Sequence, residues 1–290
     1  PGVETRQIDW EQGKEIVRTA YAGFDPALGD IVQNFLTNPW IDAAPVAGKS
    51  SGAFSHSCVP SVHPYILMNY RGQPRDVMTL AHELGHGVHQ TLAGKKQGYL
   101  NADTPLTLAE TASVFGEMLT FQSLLDAESD PKRRRHMLAA KVEDMLNTVV
   151  RQIAFYQFEV KVHDERAKGE LSPERLGEIW REVQVRSLGP VFHFTPDYDL
   201  YWSYIPHFVH SPFYVYAYAF GDCLVNALYG VYQEKPEGFA AKYRTMLEAG
   251  GTLRHKDLLA PFGLDATDPG FWRKGLDVIS GLIDQLEQED

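Results

Sequence analysis

Cysteine is nearly missing from this chain: among 290 residues only Cys58 and Cys223 occur, far apart in sequence. Two isolated thiols cannot build the disulfide framework of a small secreted domain, and they suit a reducing compartment, so cytoplasm is the expected location. Positive charge is also scarce, with 27 Lys and Arg against 38 Asp and Glu, a net charge of −11 and a pI near 5.5. Nucleic acids and anionic membranes are not attracted to such a surface, and neither is an expected partner. The single basic run, from Lys132 to His136, reads as a solvated, salt-bridged face. Long apolar runs are lacking too, because the aromatic stretch from Phe213 to Tyr232 is broken by Asp222 and Asn226, so no membrane span is expected. Internal repeats, low-complexity tracts and linkers are not visible. The chain opens on Pro1 and has no initiating Met, so its true N-terminus is expected upstream.

What is present is a globular composition, 44% hydrophobic, with one recurring punctuation mark. A capping residue followed by Pro, the pairing expected at a helix start, stands at Asp25-Pro26, Thr104-Pro105, Asp130-Pro131, Ser172-Pro173, Ser211-Pro212 and Asp268-Pro269. With the apolar periodicity that follows each, helices are predicted over 9–22, 26–38, 76–92, 105–126, 131–168, 173–187, 212–233, 236–249 and 269–287. Between Gly48 and Arg71 the pattern turns short, β-rich and bounded by Gly, Pro and Ser, which predicts a small sheet. Strands placed just before the helix at 76–92 suggest an edge that pairs with an extended peptide backbone. The glycine-rich connection from Gly94 to Asn101 is expected to be a mobile loop.

The predicted helix at 76–92 contains His82-Glu83-Leu84-Gly85-His86, an H-E-x-x-H pentad. With 11 His and 38 acidic residues, chance supplies about 0.05 such pentads in a chain of this length, so the match points to function. On a helix, His82 and His86 project from one face and can reach one metal ion, with Glu83 beside them as a candidate base. A catalytic zinc needs a third protein ligand and an open position for water. His89 and Leu92 do not fit the metzincin pattern, and Pro105 and Leu106 occupy the places where zincins of shorter spacing carry Glu. Glu110 opens Glu110-Thr-Ala-Ser113-Val-Phe-Gly-Glu117, in which Glu110, Ser113 and Glu117 share a helical face on an otherwise apolar segment. Glu110 is therefore the expected third ligand. Ser113 and Glu117 are expected to orient a ligand His through its other ring nitrogen, the alternative for Glu117 being a solvated face.

A second chemical cluster follows, with Tyr198, Tyr201, Tyr204, His207, His210, Tyr214, Tyr216 and Tyr218 crowded into one segment. Buried phenols need partners, so this density of Tyr and His suggests a wet wall able to donate hydrogen bonds to an oxyanion.

HELGHGVHQ and ETASVFGE, together with GKSSGAFSHS, HPYILMNY and IPHFVHSPFYVYAYAFG, resemble oligoendopeptidase F, within the thimet oligopeptidase and neurolysin family of zinc metallopeptidases. The resemblance implies a mainly α, zincin-like catalytic domain with a small β-sheet before the zinc helix, forming one wall of a deep cleft. It implies that residues 1–290 are a single catalytic metallopeptidase domain, the C-terminal portion of a longer enzyme. It further implies a Zn2+-dependent endopeptidase acting on short peptides, with His82, His86 and Glu110 on the metal and Glu83 as base. Matching the family's His/Tyr motif to this sequence gives His207 and Tyr214, with Tyr216 next, as the residues that contact substrate and its oxyanion. Val209 stands where a Tyr often occurs in that motif, which leaves His210 as a substitute donor. A carboxypeptidase or dipeptidase of similar zinc geometry is the alternative within the enzyme class. A catalytically silent peptide-binding module is the alternative outside it.

Overall fold

The computed structural model describes residues 7–288. Packing divides the chain into two compact units, the first running up to Ala140 and resuming at Cys223, the second spanning Lys141–Asp222.

The first unit begins with α1 (Trp10–Phe24) and α2 (Pro26–Thr37). Asp9 caps α1 and Asp25 caps α2, each carboxylate taking an orphan backbone N–H of the first turn, and Pro26 occupies N1 where no N–H is needed. Three short strands follow: β1 (Ile41–Asp42), β2 (Phe54–His56) and β3 (Tyr65–Leu67). β3 is central, parallel to β1 and antiparallel to β2, with Ser55 opposite Ile66, so β2 lies at an edge of the sheet. The predicted small sheet is therefore present.

α3 (Pro74–Gln97) is longer than the pattern predicts. Asp76 reaches back to the amides of Arg71 and Gln73 (2.8 and 2.9 Å), which fixes its start, and Lys95 and Lys96 in the last turn complement its dipole. The loop expected from Gly94 is helical through Gln97. Gly98, at φ 70, ends the helix with a conformation that only glycine adopts at little cost.

The helix predicted over 105–126 is two pieces, α4 (Leu106–Ala109) and α5 (Thr111–Ala127), with Glu110 at the break in a bridge-region conformation (φ −88, ψ 4). Thr104-Pro105 is thus not a cap followed by N1, since Pro105 itself precedes the first helical residue. α5 lies against α3 unusually closely. A Cβ on Gly85 would overlap the Ala112 carbonyl and come within 2.6 Å of Ser113 Cα, and one on Gly116 would overlap the Tyr21 hydroxyl. That hydroxyl is spent on the Ala81 carbonyl of α3 (2.8 Å), so α1 ties down the same contact from the other side. Behind it, Phe24, Phe115 and Tyr243 pack with ring centroids 4.5 to 5.6 Å apart. The unit is completed by α11 (Phe239–Glu248), α12 (His255–Leu259) and α13 (Pro269–Gln288).

The stretch predicted as one helix over 131–168 is α6 (Pro131–Leu146) and α7 (Gln152–Arg166), joined by a π-helical turn at Asn147–Arg151. In the second unit α7 and α8 (Pro173–Leu188, capped by Ser172) enclose Phe155, Phe158, Ile179, Trp180 and Val183. A 3-10 segment (Pro196–Tyr204) and the short α9 (His207–His210) follow. α10 (Tyr216–Glu234) starts later than predicted, because Phe213 sits at φ 61 and breaks the turn after Ser211-Pro212. No helix among the described residues is long and apolar enough to cross a membrane.

The close approach of α3 and α5 gives a direct test. Gly85→Ala should lower stability by about 1–3 kcal/mol through overpacking, whereas Gly281→Ala, in α13 with nothing within 4 Å of the added methyl, should raise it by up to about 1 kcal/mol. Urea unfolding midpoints of the two variants should therefore move in opposite directions.

Candidate metal centre

Three side chains, two from α3 and one from the break that precedes α5, converge where the helices touch. His82 and His86, one turn apart on α3, bring their Nε2 atoms to 3.1 Å from one another. Glu110 Oε2, at the break that opens α5, lies 3.3 Å from His82 Nε2 and 3.4 Å from His86 Nε2. These three edges match the edge of about 3.3 Å expected between ligand atoms of a tetrahedral ion with bonds of about 2.0–2.1 Å. The donor set, two imidazoles and one carboxylate, suits zinc and leaves a fourth direction open.

The orientation of His82 is not accidental. Its Nδ1 is 2.6 Å from Glu117 Oε1, so whenever the ring is neutral Nδ1 keeps the proton and Nε2 is the nitrogen turned toward the cluster. Glu110 is oriented in the same manner, by Ser113 Oγ, which donates to its carboxylate (2.8 Å) and to its own carbonyl (3.0 Å). The face shared by Glu110, Ser113 and Glu117 therefore looks inward. Glu117 is not on a solvated face.

Charge explains the protonation of the bare cluster. Burial alone would pull the His82 pKa down, but the Glu117 bond and the nearby carboxylates raise it to about 9. Burial would push Glu110 up, yet its contacts with His86 and His82 hold it at about 2. Glu83 is raised, chiefly by burial, and its Oε2 is buried without a partner. Three carboxylates thus surround two imidazoles, an excess of negative charge that a divalent cation neutralises. His89, one turn beyond, plays no part in this: it is buried, and burial drives its pKa to about 4, which leaves it a neutral core residue.

The predicted donors lie in the second unit. His207 stacks on Tyr214 (centroids 5.6 Å) and its Nε2 is 3.3 Å from the Tyr218 hydroxyl, so these three form one cluster. Tyr216 is not in it; its ring packs edge-on to Tyr156 at 5.7 Å. His210 is exposed at the end of α9. Tyr218 was not singled out as a donor, although its i, i+4 spacing from Tyr214 carried the signal. Glu159 is a second omission. Buried on α7, it accepts the Phe213 amide (2.7 Å) and so fixes the loop that carries Tyr214. Of the remaining histidines, His63 stacks on Trp40 at 3.7 Å and is structural, while His56 accepts the Cys58 amide.

Residues 21–278 match the model of peptidase family M3. The oligopeptidase PepF of Bacillus subtilis is 30% identical over 283 residues, 97% of this chain and 42% of that protein. The chromosomal oligoendopeptidase F of Lactococcus lactis subsp. cremoris is 28% identical over the same share of this chain and 47% of its own. A crystal structure from Chlamydophila abortus superposes with a TM-score of 0.86 at 27% identity, covering 99% of this chain and 48% of that one. The oligoendopeptidase-F of Enterococcus faecium shares the fold, with a TM-score of 0.68 at 21% identity over 99% of this chain and 47% of that one. The chain spans less than half the length of these relatives. On its sequence and its fold, this chain belongs to peptidase family M3.

Proposed function

We propose that this chain is the catalytic part of a zinc-dependent endopeptidase that hydrolyses internal bonds of oligopeptides. The observation that carries the reading is the triangle of His82 Nε2, His86 Nε2 and Glu110 Oε2, with its tetrahedral edges, next to an unpartnered buried carboxylate on Glu83. A zinc ion held by those three atoms would polarise the scissile carbonyl and acidify the attacking water.

The side chains then have distinct tasks. Glu83 takes a proton from the attacking water and returns it to the leaving amine; burial raises its pKa, the direction that makes a carboxylate a better proton acceptor. Glu117 keeps the His82 ring in place through Nδ1, and Ser113 does the same for Glu110. β2, at the edge of the sheet, is fastened to α3 one turn beyond His86, with Ser55 Oγ donating to Gln90 Oε1 (2.8 Å) and Gln90 Nε2 donating to the Ser55 carbonyl (3.2 Å). An extended peptide added to that edge would be held by its backbone, which favours substrates of varied sequence. His207 and Tyr214, with Tyr216 as the further candidate, are the proposed donors to the developing oxyanion, and the ring stacking of His207 on Tyr214 supports the first two. Cytoplasm is the proposed compartment, in line with two free thiols.

Three measurements test this. Metal analysis should find one zinc per chain, lost in His82→Ala, His86→Ala and Glu110→Ala; a Glu110→Ala protein that keeps stoichiometric zinc would move the third ligand elsewhere. Glu83→Gln should keep its zinc and lose about 10²- to 10⁴-fold in turnover on an internally quenched peptide. Replacing His207 by Ala or Tyr214 by Phe should lower kcat more than it raises KM, because an oxyanion donor acts in the transition state; a change in KM alone would make the pair a substrate wall.

A further inference from the structure

The turn that precedes α10 is built against the preference of its own sequence. The Tyr214 amide donates to the Ser211 carbonyl (3.1 Å), which closes a four-residue turn with Pro212 second and Phe213, at φ 61, third. Pro followed by a left-handed residue is the arrangement of a type II turn, whose third position favours glycine or asparagine. A phenylalanine there is strained, because its Cβ crowds the backbone. The turn must be held from outside.

One stripe of α7 does so. Tyr156, Glu159 and His163, at i, i+3 and i+7, share a helical face. The Glu159 carboxylate accepts the Phe213 amide (2.7 Å), while the Phe213 ring lies against His163 (4.7 Å between centroids) and edge-on to Tyr156 (6.3 Å). Glu159 is buried, its second oxygen has no hydrogen-bond partner among the described residues, and burial raises its pKa. For packing alone, a leucine of similar size would avoid that desolvation. What the carboxylate supplies instead is an acceptor roughly twice as strong as a neutral one. On the other side of Tyr214, Val215 is buried with Phe155, Phe158 and Trp180. Tyr214 therefore stands between two fixed residues, and they set the direction from which it stacks on His207.

We propose that Glu159 is a positioning residue: by holding the Phe213 amide it fixes the strained turn and so aims the Tyr214 hydroxyl. The inference rests on the reading of Tyr214 as an oxyanion donor and adds the residue on which the aim of that donor depends. Glycine at 213 would relieve the strain, but it would also loosen the turn. A donor acts in the transition state only if it is already in place, which gives the strained and clamped arrangement its use.

Two readouts test this. Hydrogen exchange reads the clamp: the Phe213 amide should be protected in the unaltered protein and exchange about 10- to 100-fold faster in Glu159→Leu, with Glu159→Gln, which keeps an acceptor oxygen, in between. Turnover of an internally quenched peptide by the zinc-loaded protein reads the consequence. Glu159→Leu should lower kcat about 10-fold or more with KM changed by less than about threefold, and Glu159→Gln should recover most of the loss. The deciding comparison is made in Tyr214→Phe, where Glu159→Leu should have no further effect on kcat, because the hydroxyl it aims is gone. Equal fractional losses in both backgrounds, or unchanged exchange at Phe213, would overturn the proposal and leave Glu159 a packing residue. Should Glu159→Leu not fold, Phe213→Gly takes its place: it frees the turn without steric cost, and its loss of kcat should be masked by Tyr214→Phe in the same way. Failure of the donor reading would look different, as an unchanged kcat in Tyr214→Phe alone, and the proposal would fall with it.

Discussion

The cluster of His82, His86 and Glu110 depends on one packing constraint, the distance at which α5 runs past α3. Gly85 and Gly116 remove the Cβ atoms that would hold the helices apart, and the Tyr21 bond to Ala81 holds the bare α3 backbone at that contact. A helix pair spaced by ordinary side chains sits 8–10 Å apart, and short carboxylates from one could not all reach the imidazoles of the other. Here Glu110 and Glu117, two turns apart on one face, reach opposite nitrogens of the same His82 ring. Backbone proximity thus converts a sequence spacing into a coordination geometry. A larger residue at either glycine would strain these contacts, and with them the cluster they position.

Electrostatics acts in the same direction. Without an ion the cluster assembles Glu83, Glu110 and Glu117 around two imidazoles in a partly buried place, an arrangement that costs desolvation and mutual repulsion. Protonation of His82, held high by Glu117, offsets part of that cost, and a divalent cation would offset more. The position of Glu83 follows the same logic: buried, unpartnered on one oxygen and raised in pKa, it is a poor structural residue and a suitable proton carrier.

The sequence was most legible where structure is decided locally. Asp25 and Ser172 cap the helices they were expected to cap, since a cap needs only a side-chain oxygen and the next few amides. The H-E-x-x-H pair was legible because a helix fixes i and i+4 regardless of what surrounds it. Misreadings fall where tertiary contacts overrule local preference. The break at Glu110 goes with its contacts to His82 and His86, which lie on another helix, so no local propensity announces it. The π-helical turn at Asn147–Arg151 interrupts a segment whose apolar spacing reads as one continuous helix. Phe213, in a left-handed conformation that a bulky residue adopts only under compulsion, delays α10 because buried Glu159 holds its amide and His163 and Tyr156 hold its ring.

Two of these places lie next to a residue proposed to carry chemistry: Glu110 at the cluster, and Tyr214 beside the strained Phe213. Regular helix satisfies its own backbone and points its side chains at fixed angles, which suits a core but seldom a ligand. Aiming a carboxylate or a phenol elsewhere requires a break in that regularity, and the break must be stabilised by contacts remote in sequence, as Glu159 stabilises Phe213 from a distant helix. A local reading of the sequence therefore fails preferentially at functional positions. In this chain the interruptions at Glu110 and Phe213 fall beside residues proposed to act in the reaction.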